Sequence, residues 1–309
     1  MSMEDPRGPR MTDRECRKFT ELLRLHCGLD CGPETRWALA SRIARRVCEL
    51  ELGSFSAYHY LIRSASGAEE FAQLIDGMLS DETYFFRDRG QLNALIHQII
   101  PESLKEPRAH GGDPVSLWSA GCASGDEPYS VVMLALEAGL VPRTDFRIYA
   151  SDISRRMLRC ARRGTYGANS LREIEPTLRR RYFHDKDGLW RISDAVKKHV
   201  DFIQLNLMDP AKLALIRNVD VILCRNVLAN LDSECKQRII EIFWDKLRPG
   251  GHLLLGDSES LVGLSTSFEL RRLKDELVYR KPSSGIGLRD PWHAAAETVR
   301  ARDAAETDD

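Results

Sequence analysis

Hydrophobic positions in the first eighty residues recur every three or four residues, which is the spacing of amphipathic helices. Thr12 and Glu15 have the spacing of a capping box, and the helix that they begin should end at Gly28. A second helix is predicted over residues 34–52, with Gly53 ending it. The apolar faces of the four predicted helices are formed by Phe19, Leu22 and Leu23, by Leu39, Ile43, Val47 and Leu50, by Tyr58, Leu61 and Ile62, and by Phe71, Leu74, Ile75 and Met78. Residues 1–80 are therefore predicted to form an all-α domain.

A linker segment is predicted over residues 81–114. Its helical pattern consists of Leu92, Leu95, Ile96 and Ile99, and Pro101 should close this helix because proline cannot donate the next backbone hydrogen bond. A loop rich in proline and glycine follows over residues 106–114.

From Val115 the pattern alternates between short apolar runs and helical segments, which predicts an α/β fold with a doubly wound sheet over residues 115–282. Residues 165–198 break this alternation, since two strand-like runs flank the hairpin sequence Asp187-Gly188, and we expect a small antiparallel β-subdomain inserted there. The tail, 283–309, has no periodicity and is predicted to be disordered. The candidate strands of the main sheet are 115–119, 146–150, 200–204, 219–224, 252–256 and 277–280.

Composition narrows the class of function. The formal net charge is −1 and no long basic run occurs, which argues against nucleic acid as the partner. No apolar stretch is long enough to span a membrane, so no direct membrane insertion is expected. The eight cysteines include no CxxC pair or zinc-binding cluster, so no metal is expected, and scattered thiols without a signal peptide indicate the cytoplasm.

The most informative segment is 117–130, Leu-Trp-Ser-Ala-Gly-Cys-Ala-Ser-Gly-Asp-Glu-Pro-Tyr-Ser. An apolar strand leads into a loop of small residues from Gly121 to Gly125, and a helix should open at Pro128, as in nucleotide-binding βα units. Asp126 and Glu127 at the mouth of this loop would repel phosphate and favour a cationic nucleoside such as S-adenosylmethionine (SAM). The alternative is that these two acids only complement the helix dipole.

Polar residues follow three further strands, where ligand crevices of such sheets lie. Asp152 is placed to accept ribose hydroxyls, or else it is a helix N-cap. Asn206 is either a rim contact or a turn residue. Arg225 and Asn226 end the strand 219–224 and should line the crevice.

Two arginine-bearing segments are candidates for handling the acceptor. In Asp81-Glu-Thr-Tyr-Phe-Phe-Arg-Asp88, Thr83 could cap a helix and the aromatic residues should pack the helical domain onto the sheet, while Arg87 could orient a carboxylate bidentately. On the second helix, Arg42, Arg45 and Arg46 fall within about a 100° arc and could dock an acidic partner helix, unless they form an ordinary solvated face.

These motifs occur in an order that resembles the CheR family of chemotaxis protein-glutamate O-methyltransferases. The resemblance covers residues 15–282 and rests on the 81–88 link, the glycine loop, Ala-Ser-Asp-Ile, Cys-Arg-Asn-Val and Arg-Pro-Gly-Gly followed by Asp-Ser-Glu-Ser. It implies a SAM-dependent enzyme that esterifies glutamates on the cytoplasmic helices of methyl-accepting chemoreceptors. The chain is expected to be a monomer. The expected cofactor site comprises Asp81, Thr83, Arg87, Gly121, Glu127, Asp152, Asn206, Leu207, Arg225 and Asn226, with Arg87 as the catalytic residue and Arg42, Arg45 and Arg46 docking the substrate.

Three positions depart from the family pattern. Asp81 stands where the link usually begins with asparagine, Asn230 where a tyrosine usually faces the active site, and Asp257 where histidine is usual. Two alternatives therefore stay open. One is a methyltransferase of the same fold with a small-molecule or other protein acceptor, and the other is a SAM-sensing regulatory module without turnover.

Overall fold

The computed structural model describes residues 11–79, 82–106, 113–274 and 276–283. Asp81 and almost all of the tail predicted to be disordered, 283–309, lie outside these ranges. Within the described ranges, no helix is both long enough and apolar enough to cross a membrane.

The predicted helical domain is present. Its helices are α1 (Asp13–Cys27), α2 (Pro33–Glu49), α3 (Phe55–Arg63) and α4 (Ala68–Met78). The capping box is confirmed: the Thr12 side chain accepts the Glu15 N–H at 3.3 Å, and the Glu15 carboxylate accepts the Thr12 N–H at 2.9 Å. Gly28 ends α1 in the left-handed conformation at φ 77°. The predicted end of α2 was too late, because the chain leaves the helix at Leu50 and Glu51 turns to φ 53°.

The linking helix is longer than predicted. It runs through α5 (Arg89–Ala94), a π-helical turn over Leu95–Ile99 and α6 (Ile100–Lys105). Pro101 therefore does not close the helix; it is the second residue of α6, and the helix continues through it to Lys105. The wider π turn before it absorbs the local disruption that a proline causes in a helix.

The main sheet has seven strands in the order β6-β2-β1-β7-β8-β10-β9. The first five of these are parallel, and β10 and β9 add antiparallel at one edge. The strands are β1 (Val115–Ala120), β2 (Phe146–Asp152), β6 (Val200–Gln204), β7 (Val219–Cys224), β8 (Leu247–Leu255), β9 (Glu269–Leu273) and β10 (Glu276–Arg280). Strand order reverses on the two sides of β1, so a crevice opens at the carboxyl ends of β1, β2 and β7.

The six predicted strands of this sheet are confirmed, and one strand was missed. The missed strand, β9, reads Glu-Leu-Arg-Arg-Leu and lies at the sheet edge, where its mostly exposed side chains give only a weak apolar signal. The helices that flank the sheet are α7 (Asp126–Glu137), α8 (Arg155–Arg163), α11 (Pro210–Leu213) and α12 (Ser233–Lys246).

The inserted β-subdomain is also confirmed. Its sheet is antiparallel, in the order β3-β5-β4, and Asp187 and Gly188 both take positive φ at its hairpin turn. Its elements are β3 (Thr165–Tyr166), α9 (Pro176–Tyr182), β4 (Phe183–Lys186), β5 (Leu189–Ile192) and α10 (Asp194–Lys197).

A partly buried ion pair joins α2 to α4 in the helical domain. Arg46 donates twice to the Glu70 carboxylate, at 2.8 and 2.6 Å, and the Tyr58 hydroxyl donates to it at 2.8 Å. We predict that Glu70→Ala lowers the free energy of unfolding by about 2 kcal/mol, because it leaves Arg46 and Tyr58 without their shared acceptor. Arg45, with 67% of its side chain exposed, provides the control: Arg45→Ala should cost less than about 0.5 kcal/mol. Urea unfolding followed by circular dichroism measures both, and equal losses would contradict the prediction.

Candidate functional site

A cavity of about 360 Å³ lies at the carboxyl ends of β1, β2 and β7, beneath the helical domain. Its volume is within the range of small-ligand sites. Cys27 and Leu29 of the helical domain form part of its wall, opposite residues of the sheet domain. All the predicted cofactor-site residues that the structure describes line this one cavity: Thr83, Arg87, Gly121, Glu127, Asp152, Asn206, Leu207, Arg225 and Asn226.

The glycine loop has a conformation that few residue types can adopt. Gly121, Ala123 and Gly125 all have positive φ, at 84°, 45° and 87°. A Cβ atom at Gly121 would come within 2.4 Å of a Val227 methyl group, so only glycine lets the loop after β7 approach this closely. The backbone therefore forms the floor of the cavity.

Asp152 fastens this loop to the end of β2. One carboxylate oxygen accepts the Ala123 N–H at 2.8 Å, and the other accepts the Ser154 N–H at 2.8 Å. Ser154 is the N-cap of α8, since its hydroxyl accepts the Met157 N–H, so the N-cap alternative for Asp152 is wrong. Burial raises the pKa of Asp152, and the two N–H bonds oppose this rise.

A buried cluster around Arg225 joins three of the sequence motifs. Arg225 lies 3.3 Å from the Glu127 carboxylate and 2.9 Å from that of Asp88, and it donates to the Arg87 carbonyl at 2.5 Å. The Ser119 hydroxyl donates to the other oxygen of Glu127 at 2.7 Å. Burial raises the pKa of Glu127, while Arg225 and then Ser119 act in the opposite direction. Arg225 thus acts mainly through protein contacts, although it reaches the cavity wall.

Contrary to the prediction from the sequence, Asp126 is not at the mouth of the loop. It is fully buried, does not line the cavity, and is the first residue of α7, so this helix begins two residues before Pro128. Its carboxylate accepts the Ser124 hydroxyl, and burial raises its pKa to about 6. Glu127 alone of this pair faces the cavity.

Without Asp126, the charged residues that line the cavity still favour a cationic nucleoside. Three acidic residues line the cavity, Glu82, Glu127 and Asp152, against two arginines, Arg87 and Arg225. Arg225 is also neutralised by Asp88 from behind the wall. The surplus of acid, the small-residue floor and the cavity volume together fit SAM, whose reactive end is positively charged and which carries no phosphate.

The aromatic residues of the segment 81–88 pack differently from the prediction. Phe85 and Phe86 are buried in the core of the sheet domain and not between the two domains. Phe85 makes edge-to-face contacts with Tyr166 and Phe183 at ring-centre distances of 4.8 and 5.0 Å, which ties the link to the β-subdomain. Tyr84 lines the cavity, and the Arg172 guanidinium lies 3.6 Å from the centre of its ring.

Two predicted residues of the link lie at the cavity. Thr83 does not cap a helix, since the next one, α5, begins six residues later. Arg87 is half-buried at the cavity wall and donates to the Glu82 carbonyl at 3.1 Å.

Asn206 is both a turn residue and a cavity residue. Its Oδ1 accepts the Met208 N–H at 2.9 Å, and its Nδ2 donates to the His26 carbonyl of the helical domain at 2.6 Å. A short backbone ladder lies beside this contact: Leu29 bridges Leu231, and the Asp30 N–H donates to the Asn230 carbonyl at 2.9 Å. The helical domain is thus fastened along the cavity rim.

Glu259 holds a loop of the site and was not among the residues predicted from the sequence. Its carboxylate accepts three backbone N–H groups, those of Asn226 at 2.8 Å, Ala229 at 3.0 Å and Gly256 at 2.9 Å. These bonds hold the loop after β7, in which Asn226 takes φ 61°. The signal that could have found Glu259 was its place in the Asp-Ser-Glu motif, to which no role had been given.

The three arginines of α2 do not lie at the cavity. Arg42 donates to the Gly77 carbonyl, and Arg46 pairs with Glu70 and Glu49. Arg45 is the most exposed of the three, and its guanidinium lies 3.6 Å from Glu49. The predicted docking arc is therefore mostly engaged within the helical domain. No group of residues that the structure describes has the composition and spacing of a metal site.

Comparison with known proteins assigns the chain to two adjoining family domains. Residues 14–79 match the family model described as CheR methyltransferase, all-alpha domain, and residues 81–276 match the model described as CheR methyltransferase, SAM binding domain. The "Chemotaxis protein methyltransferase" of Vibrio parahaemolyticus is 36% identical, over 87% of this chain and 98% of that protein. That of Vibrio anguillarum is 34% identical over 87% and 98%. "Chemotaxis protein methyltransferase 1" of Pseudomonas aeruginosa is 31% identical over 85% and 96%.

Burial of Asp126 predicts a specific dependence of stability on pH. Because the pKa of this carboxyl rises from 3.8 to about 6 on folding, its contribution is complete below about pH 4 and is lost as the pH rises through 6. We expect Asp126→Asn to raise the free energy of unfolding at pH 7.5 by up to about 3 kcal/mol relative to its effect at pH 4. Exposed Asp245→Asn is the matched control and should show no such difference. Denaturant titrations at several pH values measure it, and parallel curves for both variants would contradict the assignment.

Proposed function

We propose an acceptor and a mechanism from one premise: this chain belongs to the CheR family of methyltransferases. It is a SAM-dependent methyltransferase of chemotaxis. We propose that its acceptors are glutamate side chains on the cytoplasmic helices of chemoreceptor-like proteins and that its product is a glutamate methyl ester.

The chemical groups around the cavity support a carboxylate acceptor. No histidine or lysine is among the described residues that line it. Burial raises the pKa of Cys27 to about 12 and that of Cys122 well above its usual value, so both remain thiols. An amine or hydroxyl acceptor would need a base to remove its proton, whereas a glutamate is already ionised at neutral pH.

The carboxylates of the lining are held by protein groups: Glu127 by Arg225 and Ser119, Asp152 by two backbone N–H groups, while Glu82 lies 3.8 Å from Arg172. A described lining without histidine, lysine or ionised thiol, whose carboxylates are already engaged, is the observation that carries the proposal.

The protein's part in the reaction is then to position and to stabilise charge. When bound, SAM supplies a sulfonium methyl group, which forms a C–O bond to the acceptor as the C–S bond breaks and its electron pair leaves on sulfur. Arg87 is the proposed catalytic residue, because its guanidinium at the cavity wall can hold a carboxylate in the line of displacement. The carbonyl anchor to Arg225 keeps the Arg87 backbone in place.

The proposed cofactor contacts follow the cavity wall. Asp152 would accept the ribose hydroxyls, and Glu127 would face the cationic end. Gly121 and the backbone after it would lie under the nucleoside, with Asn206 and Leu207 on one side. Thr83, Arg225 and Asn226 would complete the site, and Asp81 is proposed on sequence grounds alone.

We propose further that the enzyme is a cytoplasmic monomer. For the domain boundaries we propose residues 1–80, 81–114 and 115–282, with the β-subdomain at about 165–198 and a tail at 283–309.

A different acceptor is the one competing candidate that an observation favours. Asn230, at the position of the family's usual tyrosine, lines the rim of the cavity and is exposed. Its amide could contact an acceptor other than a receptor glutamate. The product assay below separates the two candidates.

The nature of the product tests the proposed acceptor. Purified enzyme, methyl-labelled SAM and cytoplasmic fragments of the source organism's chemoreceptors should give label that alkali releases as volatile methanol, because esters hydrolyse and methylated amines do not. Receptor fragments with the modified glutamates replaced by alanine are the control. Label that resists alkali, or that appears only in small molecules, would favour the other acceptors.

Substitution of Arg87 should lower the turnover number far more than it lowers the stability of the fold. We expect Arg87→Ala to lower kcat by about 100-fold, the size typical of losing one stabilising donor at a reaction centre. Arg87→Lys should recover only part of this, because an ammonium lacks the planar fork. Arg89→Ala is the neighbouring control, since Arg89 pairs with Glu175 and does not line the cavity. Steady-state kinetics and thermal melts distinguish the roles, and a near-normal kcat for Arg87→Ala would make Arg87 structural.

A further inference from the structure

Helix α8 carries its charges in an unusual arrangement. Its nine residues include five arginines, and Arg155 and Arg156 stand in its first turn, which contains no acidic residue. Cations are unfavourable at a helix N-terminus because the helix dipole is positive there. Arginines four residues apart, as at Arg155, Arg159 and Arg163, also repel one another. The helix dipole favours Arg162 and Arg163 in the last turn, but local stability does not explain the arginines of the first turn or the four-residue spacing. A function for these charges is the alternative.

Four of these arginines form one exposed strip, which we call the arginine stripe: Arg155, Arg159, Arg162 and Arg163. At 3.6 residues per turn they fall within about a 100° arc and extend over about 12 Å. Met157, Leu158 and Ala161 take the opposite, buried face of the helix. The stripe is thus fixed in direction by the packing of α8 against the sheet.

Most of the charge on the stripe is not neutralised. Arg155 lies 2.8 Å from Glu69 of α4, and Arg162 donates to the Phe202 carbonyl at 3.0 Å. Arg159 and Arg163 form no ion pair with any residue in the described ranges. Lys197 of the β-subdomain donates to the Arg163 carbonyl at 3.2 Å and adds another cation at the far end. This contrasts with α2, where Arg42 and Arg46 are engaged.

The N-terminal end of α8 lies at the cavity. Asp152 and Ile153, just before α8, line the cavity wall, and so does Met157 in the first turn of the helix. Arg155 stands in the chain between Ile153 and Met157, which both line the cavity, and the stripe runs from there to Arg163, whose carbonyl contacts Lys197 of the β-subdomain. A rod-shaped partner lying along α8 would reach the cavity with one part while its neighbouring turns contact the stripe.

We propose that the arginine stripe of α8 docks an acidic α-helix of the acceptor. This rests on the proposed function, in which the acceptor is a helix that bears glutamates. A span of about 12 Å corresponds to about eight helical residues, so acidic side chains at i, i+4 and i+7 of the partner match the stripe. The stripe selects the partner and increases its rate of association, while transfer of the methyl group stays with the cavity residues.

Charge reversal on the stripe tests this docking. The variant is Arg159→Glu with Arg163→Glu, assayed with the same receptor fragments. The matched control, Arg217→Glu with Arg272→Glu, reverses two exposed arginines that are not on α8. Arg45→Glu tests the surface of α2 in parallel. We expect the stripe variant to raise KM for the fragment at least fivefold at low salt, with kcat at saturation and SAM affinity unchanged. The difference from the unmodified enzyme should shrink in 1 M salt.

The results separate failure of the docking site from failure of the proposed function. If the unmodified enzyme forms base-labile esters but the stripe variant keeps its KM within twofold, or if the control variant loses as much, the stripe does not dock the acceptor. If only Arg45→Glu raises KM, α2 is the docking surface and the inference is wrong. If no receptor fragment is methylated by the unmodified enzyme, the proposed function fails, and the docking inference fails with it. Binding of a duplex RNA oligonucleotide that the stripe variant loses would instead assign the stripe to nucleic acid.

Discussion

The buried guanidinium of Arg225 is the interaction on which the rest of the site depends. Only 3% of its side chain is exposed, so it is stable there because Asp88 and Glu127 are charged beside it and the Arg87 carbonyl accepts a third bond. These partners come from the link segment and from α7, whereas Arg225 follows β7. Loss of any one charge would leave the others buried without compensation, which is far more costly than breaking an exposed pair. One side chain therefore fixes the relative positions of three segments that are distant in sequence.

Strained backbone conformations around the cavity are also stabilised by polar contacts. Phe86, Asp88, Ala123 and Asn226 all have positive φ, which is unfavourable for residues with a side chain. Each is restrained by a polar partner: Ser130 accepts the Phe86 N–H, Asp152 that of Ala123 and Glu259 that of Asn226, while Asp88 pairs with Arg225. The polar groups of the site thus serve first to keep loops in one conformation. A site that is arranged before its ligands arrive does not lose binding energy in ordering these loops.

The sequence predicted what depends on local periodicity and missed what depends on distant contacts. The capping box at Thr12, the hairpin at Asp187-Gly188 and six strands follow from neighbouring residues and were confirmed. Asp126 was misjudged because two adjacent acids look equivalent in sequence, although one faces the core and the other the cavity. The arginines of α2 lie within one arc on a helical wheel, but the partners of Arg42 and Arg46 on α4 are more than twenty residues away in sequence. The helix continues past Pro101 because a π turn precedes it, and residue propensities do not predict a π turn.

Both domains contribute residues to the cavity wall, and this couples ligand binding to the docking of the two domains. Cys27 and Leu29 come from the helical domain, and Asn206 and Leu231 come from the sheet domain, so a ligand that touches both walls binds only the docked arrangement. Ligand affinity and the free energy of domain docking are then linked quantities, and each must change by the same amount when the other is altered. The contact between the domains is partly backbone to backbone, at Leu29 with Leu231 and at Asp30 with Asn230. Side chains at these positions can therefore diverge among relatives while the coupling between the two domains is preserved.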